Sequence, residues 1–158
     1  MATQVTFTIT ISENYTLQCC IVDEDSKETT IQLHNQTKQE YPLSSSLIYK
    51  NNSIEFAKDF FTNPQDFKLY NIELYGKEYS VIAEVLFSLI INEFKERVEK
   101  EFIIENTIVQ LPSNNHQLTN RIQISLESIG LKNIIINPIV FEYHYQGQTL
   151  EELLEKGH

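Results

Sequence analysis

The second half of the chain alternates helical and strand patterns, and this alternation predicts a sheet with parallel strands. Apolar residues recur at three- and four-residue spacing over residues 80–102, where Ser80 is the expected N-cap, and again over residues 116–129. Short apolar runs at residues 107–111 and 133–137 follow these two segments and are typical of buried strands. Strands that alternate with helices pair in parallel through right-handed crossovers, so we expect an α/β domain.

The first half of the chain predicts strands joined by turns. Residues 4–11 alternate apolar and threonine side chains, the period of a half-buried strand, and residues 16–22 and 29–33 follow as further strands of a meander. Together the two halves predict a mixed five-stranded sheet with flanking helices, the ribonuclease-H-like α/β unit. Further predicted elements are a hairpin of residues 47–50 and 53–56 around Asn51-Asn52, a helical turn at 57–61, a strand at 70–74 before a bend at Gly76, and a helix at 149–156.

The composition is that of one acidic globular domain spanning residues 1–158. The net charge of −10 disfavours nucleic acid, because an acidic protein repels the phosphate backbone. No apolar run is long enough to predict a membrane span, and the N-terminus carries no signal-peptide pattern, so we expect a cytoplasmic protein without membrane contact. The adjacent Cys19 and Cys20 should point to opposite faces of a strand and remain reduced, and the histidines lack metal-ligand spacing.

Seven short segments, in chain order, resemble the nucleotide-binding domain of the 70-kDa heat-shock chaperones. Each is brief, and their order along nearly the whole chain is what makes the set specific. The segments are residues 19–22 (CCIV), 62–64 (TNP), 75–80 (YGKEYS), 109–112 (VQLP), 129–131 (IGL), 135–138 (IINP) and 145–147 (YQG). The resemblance implies the first lobe of an actin-type ATPase fold. The segment between Pro64 and Tyr75 is much shorter than in that family, so the resemblance implies a truncated lobe.

The positions that handle phosphate in this family differ here. The family's first hairpin carries an Asp-Leu-Gly-Thr-Thr turn whose amides and hydroxyls cradle phosphates, and the matching stretch contains Ser12, Asn14 and Thr16. Of the compared positions, only Thr16 keeps its type. Asn137 matches the family's Asn-Glu-Pro stretch without the glutamate, and Lys68 is either a remnant of the family's catalytic lysine or an exposed surface lysine. The resemblance therefore implies a degenerate nucleotide site at these five residues, with no catalytic residue and no metal ligand.

These departures favour a non-catalytic lobe that acts through protein–protein contacts in chaperone-related roles and needs no cofactor. A lone lobe exposes the face that a second lobe would cover, so protein partners or self-association are expected. The alternative is an N-terminal fragment of an ATP-binding, ATP-hydrolysing chaperone, which would use ATP and magnesium and act as an ATPase only with a second lobe in a longer chain.

Two other clusters leave a choice open. Phe60, Phe61, Phe67 and Tyr70 form either part of the core or, if exposed, a surface for a partner. The acidic residues 23–25 are either a solvated hairpin tip or a cation site.

Overall fold

The architecture is that of a computed structural model, which describes residues 3–33, 40–49, 54–62, 68–112 and 116–138. The strands in these ranges are β1 (Thr3–Ile11), β2 (Thr16–Val22), β3 (Glu28–Thr30), β4 (Tyr41–Pro42), β5 (Leu69–Leu74), β6 (Lys77–Ile82), β7 (Phe102–Leu111) and β8 (Ile134–Pro138). The helices are α1 (Ala57–Thr62), α2 (Ala83–Glu99) and α3 (His116–Ser128), with a 3-10 turn at Ser45–Leu47.

Five strands lie side by side in one mixed sheet, in the order β3-β2-β1-β7-β8, and the short β4 pairs with β2. The pairs β1–β2 and β2–β3 are antiparallel, whereas β1–β7 and β7–β8 are parallel. This confirms the predicted meander and the predicted parallel strands, and it makes the fold a mixed α/β one. The strand predicted at residues 29–33 is the shorter β3, and the helix predicted at residues 149–156 lies outside the described residues.

Helices α2 and α3 pack on the same face of this sheet. α2 lies in the connection that leads to β7, the parallel neighbour of β1, and α3 lies in the connection from β7 to its parallel neighbour β8. Both connections step across the sheet in the same direction, from β1 to β7 to β8. Right-handed crossovers therefore place both helices on one face. The inward side chains of β1 and the apolar stripes of both helices form one core, with almost no solvent exposure. That core includes Phe7, Ile9 and Ile11 of β1, Leu86, Phe87, Ile90 and Phe94 of α2, and Leu118, Ile122 and Leu126 of α3.

The opposite face of the sheet is more polar and more open. Along β1, half-buried threonines alternate with the buried apolar residues. Thr8 lies between Cys20 of β2 and Ile108 of β7, and this row continues to Ile135 of β8, whose side chain is 53% exposed. Cys19, the neighbour of Cys20, is paired with the inward-facing side of β1, and both cysteines are free thiols, as predicted.

A β-hairpin replaces the first part of the helix predicted over residues 80–102. β6 pairs with β5 in antiparallel register, and α2 begins at Ala83. The two turn residues, Tyr75 and Gly76, have φ values of 52° and 78°, as in the type I′ turn that suits the twist of a hairpin. Gly76 therefore marks a bend, as predicted, but the chain returns along β5 before the helix starts.

Both ends of α2 differ from the prediction. The expectation that Ser80 caps the helix is wrong, because Ser80 lies in β6 and its hydroxyl donates a 2.7 Å hydrogen bond to Asn71 Oδ1 on β5. Ile82 precedes the helix and provides no side-chain cap. At the other end, Phe102 belongs to β7, which is longer than predicted because it pairs along β1 from Thr3 onward.

The aromatic residues near α1 belong to the core. Phe60, Phe61 and Tyr70 are all buried, and Phe60 stacks on a phenylalanine of α2 with 5.5 Å between ring centroids. This confirms the core alternative for these three, while Phe67 lies outside the described residues. α1 itself matches the helical turn predicted at residues 57–61.

The hairpin predicted at residues 47–56 is replaced in part by other structure. Ser45–Leu47 forms the 3-10 turn, and an isolated antiparallel bridge joins Ser44 to Glu55. The chain thus reverses direction here, although the predicted turn at Asn51-Asn52 lies outside the described residues.

Candidate functional site

The turn between β1 and β2 brings together three of the predicted nucleotide-site residues, Ser12, Asn14 and Thr16. The Ser12 N–H donates to the Thr16 carbonyl at 3.0 Å, and the Tyr15 N–H donates to the Ser12 carbonyl at 3.0 Å. Tyr15 has a φ of 57°, which lets the chain reverse within these few residues. Backbone amides and hydroxyls are therefore concentrated on the inside of the turn.

The Ser12 hydroxyl occupies the inside of this turn. It accepts hydrogen bonds from the N–H groups of Asn14 at 3.3 Å and Thr16 at 3.2 Å, and it shares a 2.6 Å hydrogen bond with the Thr16 hydroxyl. Converging amides and hydroxyls of this kind are what binds an anion in a phosphate-binding turn. Here a side chain of the turn itself satisfies them. A phosphate would have to displace that hydroxyl and approach the exposed Glu13 carboxylate.

Asn137 lies at the same edge of the sheet as Ser12. The parallel strands β1, β7 and β8 end at this edge, where Ser12 follows β1 and Asn137 stands near the end of β8. Between them, Gln110 of β7 is paired with Thr10 and Asn137, and the Thr10 hydroxyl donates to Gln110 Oε1 at 3.0 Å. Ligands of open α/β sheets bind outside such carboxyl ends. Asn137 and β1 are two strand spacings apart, about 10 Å.

Lys68 lies on a different element, directly before β5. Its Nζ is 3.1 Å from Asp59 Oδ2 in an ion pair and 5.4 Å from the centre of the Tyr70 ring. The hydrogen bond to Asp59, together with that residue's charge, raises the pKa of Lys68, and the same contact lowers the pKa of Asp59. The Lys68 side chain is 61% exposed, so its contacts are those of a surface ion pair.

Two neighbouring pockets, rather than one, border these residues. Asn14 and Tyr15 line a pocket of about 360 Å³ beside the β1–β2 turn. Lys68 and Arg121 line another of about 230 Å³, and Asp59 contributes to both. The second is smaller than the usual volume of a small-molecule site. The structure thus keeps Lys68 apart from the turn residues, with Asp59 between the two groups.

An ion pair between α2 and α3 was not found by the sequence reasoning. Arg121 Nε donates to Glu84 Oε1, and the two side chains are only 16% and 14% exposed. The guanidinium also lies 4.7 Å from the centre of the Phe60 ring, which adds a cation–π contact. The available signal was the position of Arg121 beside the apolar stripe of α3, directly before Ile122 and three residues after Leu118. A charge at such a position requires a buried partner.

The acidic residues 23–25 form the tip of the β2–β3 hairpin. Asp23 Oδ1 accepts hydrogen bonds of 2.9 Å from the N–H groups of both Asp25 and Lys27. The carboxylate therefore organises the turn. Across the described ranges, no group of three or more His, Cys, Asp or Glu side chains is arranged to hold a metal ion.

No family model matches this chain, and a search among curated proteins finds no match. In the part of the chain that the structure describes, no helix is long and apolar enough to cross a membrane.

Proposed function

We propose that this chain is a divergent, non-catalytic relative of the first lobe of the heat-shock-70-type nucleotide-binding domain, with a ribonuclease-H-like fold. It acts through protein–protein contacts in chaperone-related roles in the cytoplasm. In this proposal it uses no cofactor and contacts neither nucleic acid nor membrane.

The strand order supports the fold part of the proposal. An antiparallel meander is followed by two parallel strands in the order β3-β2-β1-β7-β8, with one helix before β7 and another before β8. This is the succession of elements expected for a ribonuclease-H-like unit. The edge where β1, β7 and β8 end is where such a sheet would hold its ligand.

The observation that carries the non-catalytic part is the closed β1–β2 turn. The amides of Asn14 and Thr16, which a phosphate-binding turn presents to its ligand, both donate to the Ser12 hydroxyl. Because these hydrogen bonds would be exchanged for those to a phosphate, the net gain from binding is small. The exposed Glu13 carboxylate adds repulsion towards an anion at the same place.

The alternative, an N-terminal fragment of an ATP-hydrolysing chaperone, is favoured by one observation. Ser12 and Asn137 stand at the same edge of the sheet, with the polar pair Thr10 and Gln110 between them. A second lobe could complete a nucleotide site across such an edge.

Calorimetric titration with Mg-ATP separates the two functions. We expect no binding at micromolar nucleotide, because the amides of Asn14 and Thr16 already donate to the Ser12 hydroxyl. A micromolar Kd would contradict the proposal and favour the ATPase fragment.

A rebuilt turn provides the matched variant. The triple substitution Ser12→Asp, Glu13→Leu and Asn14→Gly restores three of the family's turn residues and leaves Tyr15 and Thr16 in place. We expect this variant to bind Mg-ATP more tightly than the natural turn. If it gains nothing, the loss of nucleotide affinity has its cause elsewhere in the chain.

A further inference from the structure

A groove runs between α2 and the β5–β6 hairpin, on a part of the molecule that the degenerate nucleotide site does not use. Its volume is about 440 Å³. The floor consists of Ile48, Leu74 and Leu89, which are half-buried apolar side chains packed against the core. Tyr49 lines the groove from the segment after the 3-10 turn, and Tyr75 lines it from the tip of the hairpin. Tyr75 is fully exposed, an unusual position for an aromatic ring.

In the described part of the chain, the charged side chains that line this groove are all carboxylates. Glu73 approaches it from β5, and Glu93 and Glu96 approach it from one side of α2. In the described ranges neither Glu73 nor Glu93 forms an ion pair, and Glu96 accepts only an amide hydrogen bond of 3.2 Å from Asn92. Among the residues that the structure describes, no lysine or arginine lines the groove.

Two further details concern the negative charge at this groove. Glu73 stands directly opposite Glu78 in the hairpin register, and like charges in that position destabilise a strand pair. Burial, and then the nearby Tyr75 and Glu93, raise the pKa of the Tyr49 hydroxyl. Tyr49 and Glu93 thus line the same groove, where the carboxylate favours the protonated tyrosine hydroxyl.

We propose that this groove is the docking site for a basic segment of a partner protein, with an arginine or lysine side chain held between Tyr49, Tyr75 and Glu93. The apolar floor receives the stem of the cationic side chain or a neighbouring apolar residue. The tyrosine rings offer cation–π contacts, and Glu73, Glu93 and Glu96 supply the opposite charge. Charge complementarity therefore selects a cationic partner over a second copy of this acidic chain.

This inference deepens the proposed function, on which it rests, by naming the surface and the chemistry of the partner. Its failure can be told apart from failure of the non-catalytic assignment. Mg-ATP binding would overturn the non-catalytic assignment but would not affect the groove proposal. The groove proposal is tested separately, by the binding of a peptide.

The test uses the full chain and a fluorescein-labelled peptide of alternating arginine and leucine, followed by fluorescence anisotropy at about 0.15 M ionic strength. A peptide with glutamate in place of arginine is the probe control. We expect saturable binding of the arginine peptide only. Absence of binding by the arginine peptide, or equal binding of both peptides, would overturn the proposal.

Matched charge variants separate this groove from general attraction to an acidic protein. The double variant Glu73→Gln, Glu93→Gln removes two charges from the groove, and Glu101→Gln, Glu127→Gln removes two exposed charges outside it. We expect about a tenfold weaker affinity for the first, about 1.4 kcal/mol, and less than about twofold for the second. Equal losses in the two variants would assign the binding to net charge and overturn the groove.

Tyr75→Asn tests the ring without risking the fold. Asparagine tolerates the positive φ of this turn position better than tyrosine, so the variant should be at least as thermostable as the natural chain. We expect peptide affinity to fall several-fold while Tm is maintained. Unchanged affinity would contradict the role of the ring. A dimer in light scattering that this substitution dissociates would make the occupant a second copy and overturn the proposal.

Discussion

The two faces of the central sheet arise from the same strands but are stabilised in different ways. Cys19 and Cys20 are neighbours in β2, yet Cys19 is paired with Ile9 on the helix side, and Cys20 is paired with Thr8 on the other side. Cys19 belongs to the continuous core under the helices, and Cys20 does not. Strand alternation thus separates a face that depends on packing from a face that keeps polar groups of its own.

The polar groups on the two faces have correspondingly different surroundings. On the open face, threonine supplies a β-branched side chain that favours a strand without requiring burial, and Thr10 finds a partner in Gln110. On the helix side, two buried polar atoms, Glu84 Oε2 and Thr107 Oγ1, have no hydrogen-bond partner within the described structure. The packed face therefore tolerates change less well than the open one.

The largest expected difference between the faces comes from adjacent residues of β1. Ile9→Ala should lower the free energy of unfolding by about 4 kcal/mol, because it leaves a cavity in a completely buried site. Thr8→Ala should cost about 1 kcal/mol or less, through lower strand propensity. Urea unfolding of both variants measures the contrast. Similar losses would mean that the threonine face is packed as tightly as the helix face.

A second comparison removes one polar partner on each face. Arg121→Met should cost about 3 kcal/mol, because Glu84 would keep a mostly buried carboxylate without its donor. Thr10→Val should cost about 1 kcal/mol, since water can reach the half-buried Gln110 in place of the lost hydroxyl. Urea unfolding with the double variant Arg121→Met, Glu84→Gln checks the reason given. Failure of the second substitution to restore any stability would argue against a cost due to the unpaired carboxylate.

The smallest expected difference concerns the two thiols, tested in Cys19→Ser and Cys20→Ser variants so that one thiol remains in each. Cys20 is paired with Thr30 of the short edge strand β3, with its Sγ 3.7 Å from Thr30 Oγ1, whereas Cys19 is enclosed by the core. Local opening of β3 should therefore expose Cys20 first. We expect it to react with iodoacetamide about tenfold faster than Cys19 in the native protein. Equal rates would mean that both thiols become accessible through the same opening.

The same thiols predict a dependence of stability on alkaline pH. Burial raises the pKa of Cys19 well above its usual value, and burial is also the main cause that raises the pKa of Cys20. The unfolded chain then releases thiol protons first, so stability should fall as pH rises above about 8.5. A Cys19→Val variant should show a shallower decline in urea unfolding between pH 8 and 9.5. An unchanged decline would assign it to other groups.

The local sequence pattern was sufficient to predict the strands of the sheet, but it was not sufficient to predict where α2 begins. The alternation in residues 4–11 predicted which side chains of β1 face the core, because strand geometry has a strict period of two. The stripe through Ile82, Val85 and Leu86 also fits a helix, but residues before Ala83 pair with β5 instead. That pairing depends on a turn with positive φ at Tyr75. The turn sequence is Tyr-Gly and not the Asn-Gly that usually indicates a hairpin turn of this type.

Two parts of the candidate site could be predicted from the sequence: residues that are neighbours in one turn, and residues that lie at the same edge because their strands are parallel. Ser12 and Thr16 belong to one turn, and the shared edge with Asn137 follows from parallel pairing. The sequence could not predict that the Ser12 hydroxyl occupies the inside of the turn, because this depends on the rotamer of its side chain. The pairing of Arg121 with Glu84 joins residues 37 positions apart, and no local periodicity encodes such a contact.

The pairing of β1 with β7 has a consequence for how the chain is made. Thr10 and Gln110 are 100 residues apart, so the centre of the sheet has a high contact order and closes late. At about 5–20 residues per second, a ribosome needs roughly 5–20 s to deliver β7 after β1. During that interval the β1–β2 hairpin has emerged while Phe7, Ile9 and Ile11 still lack their helices. The nascent chain thus exposes the continuous apolar face of β1 to solvent for seconds before the helices can bury that face.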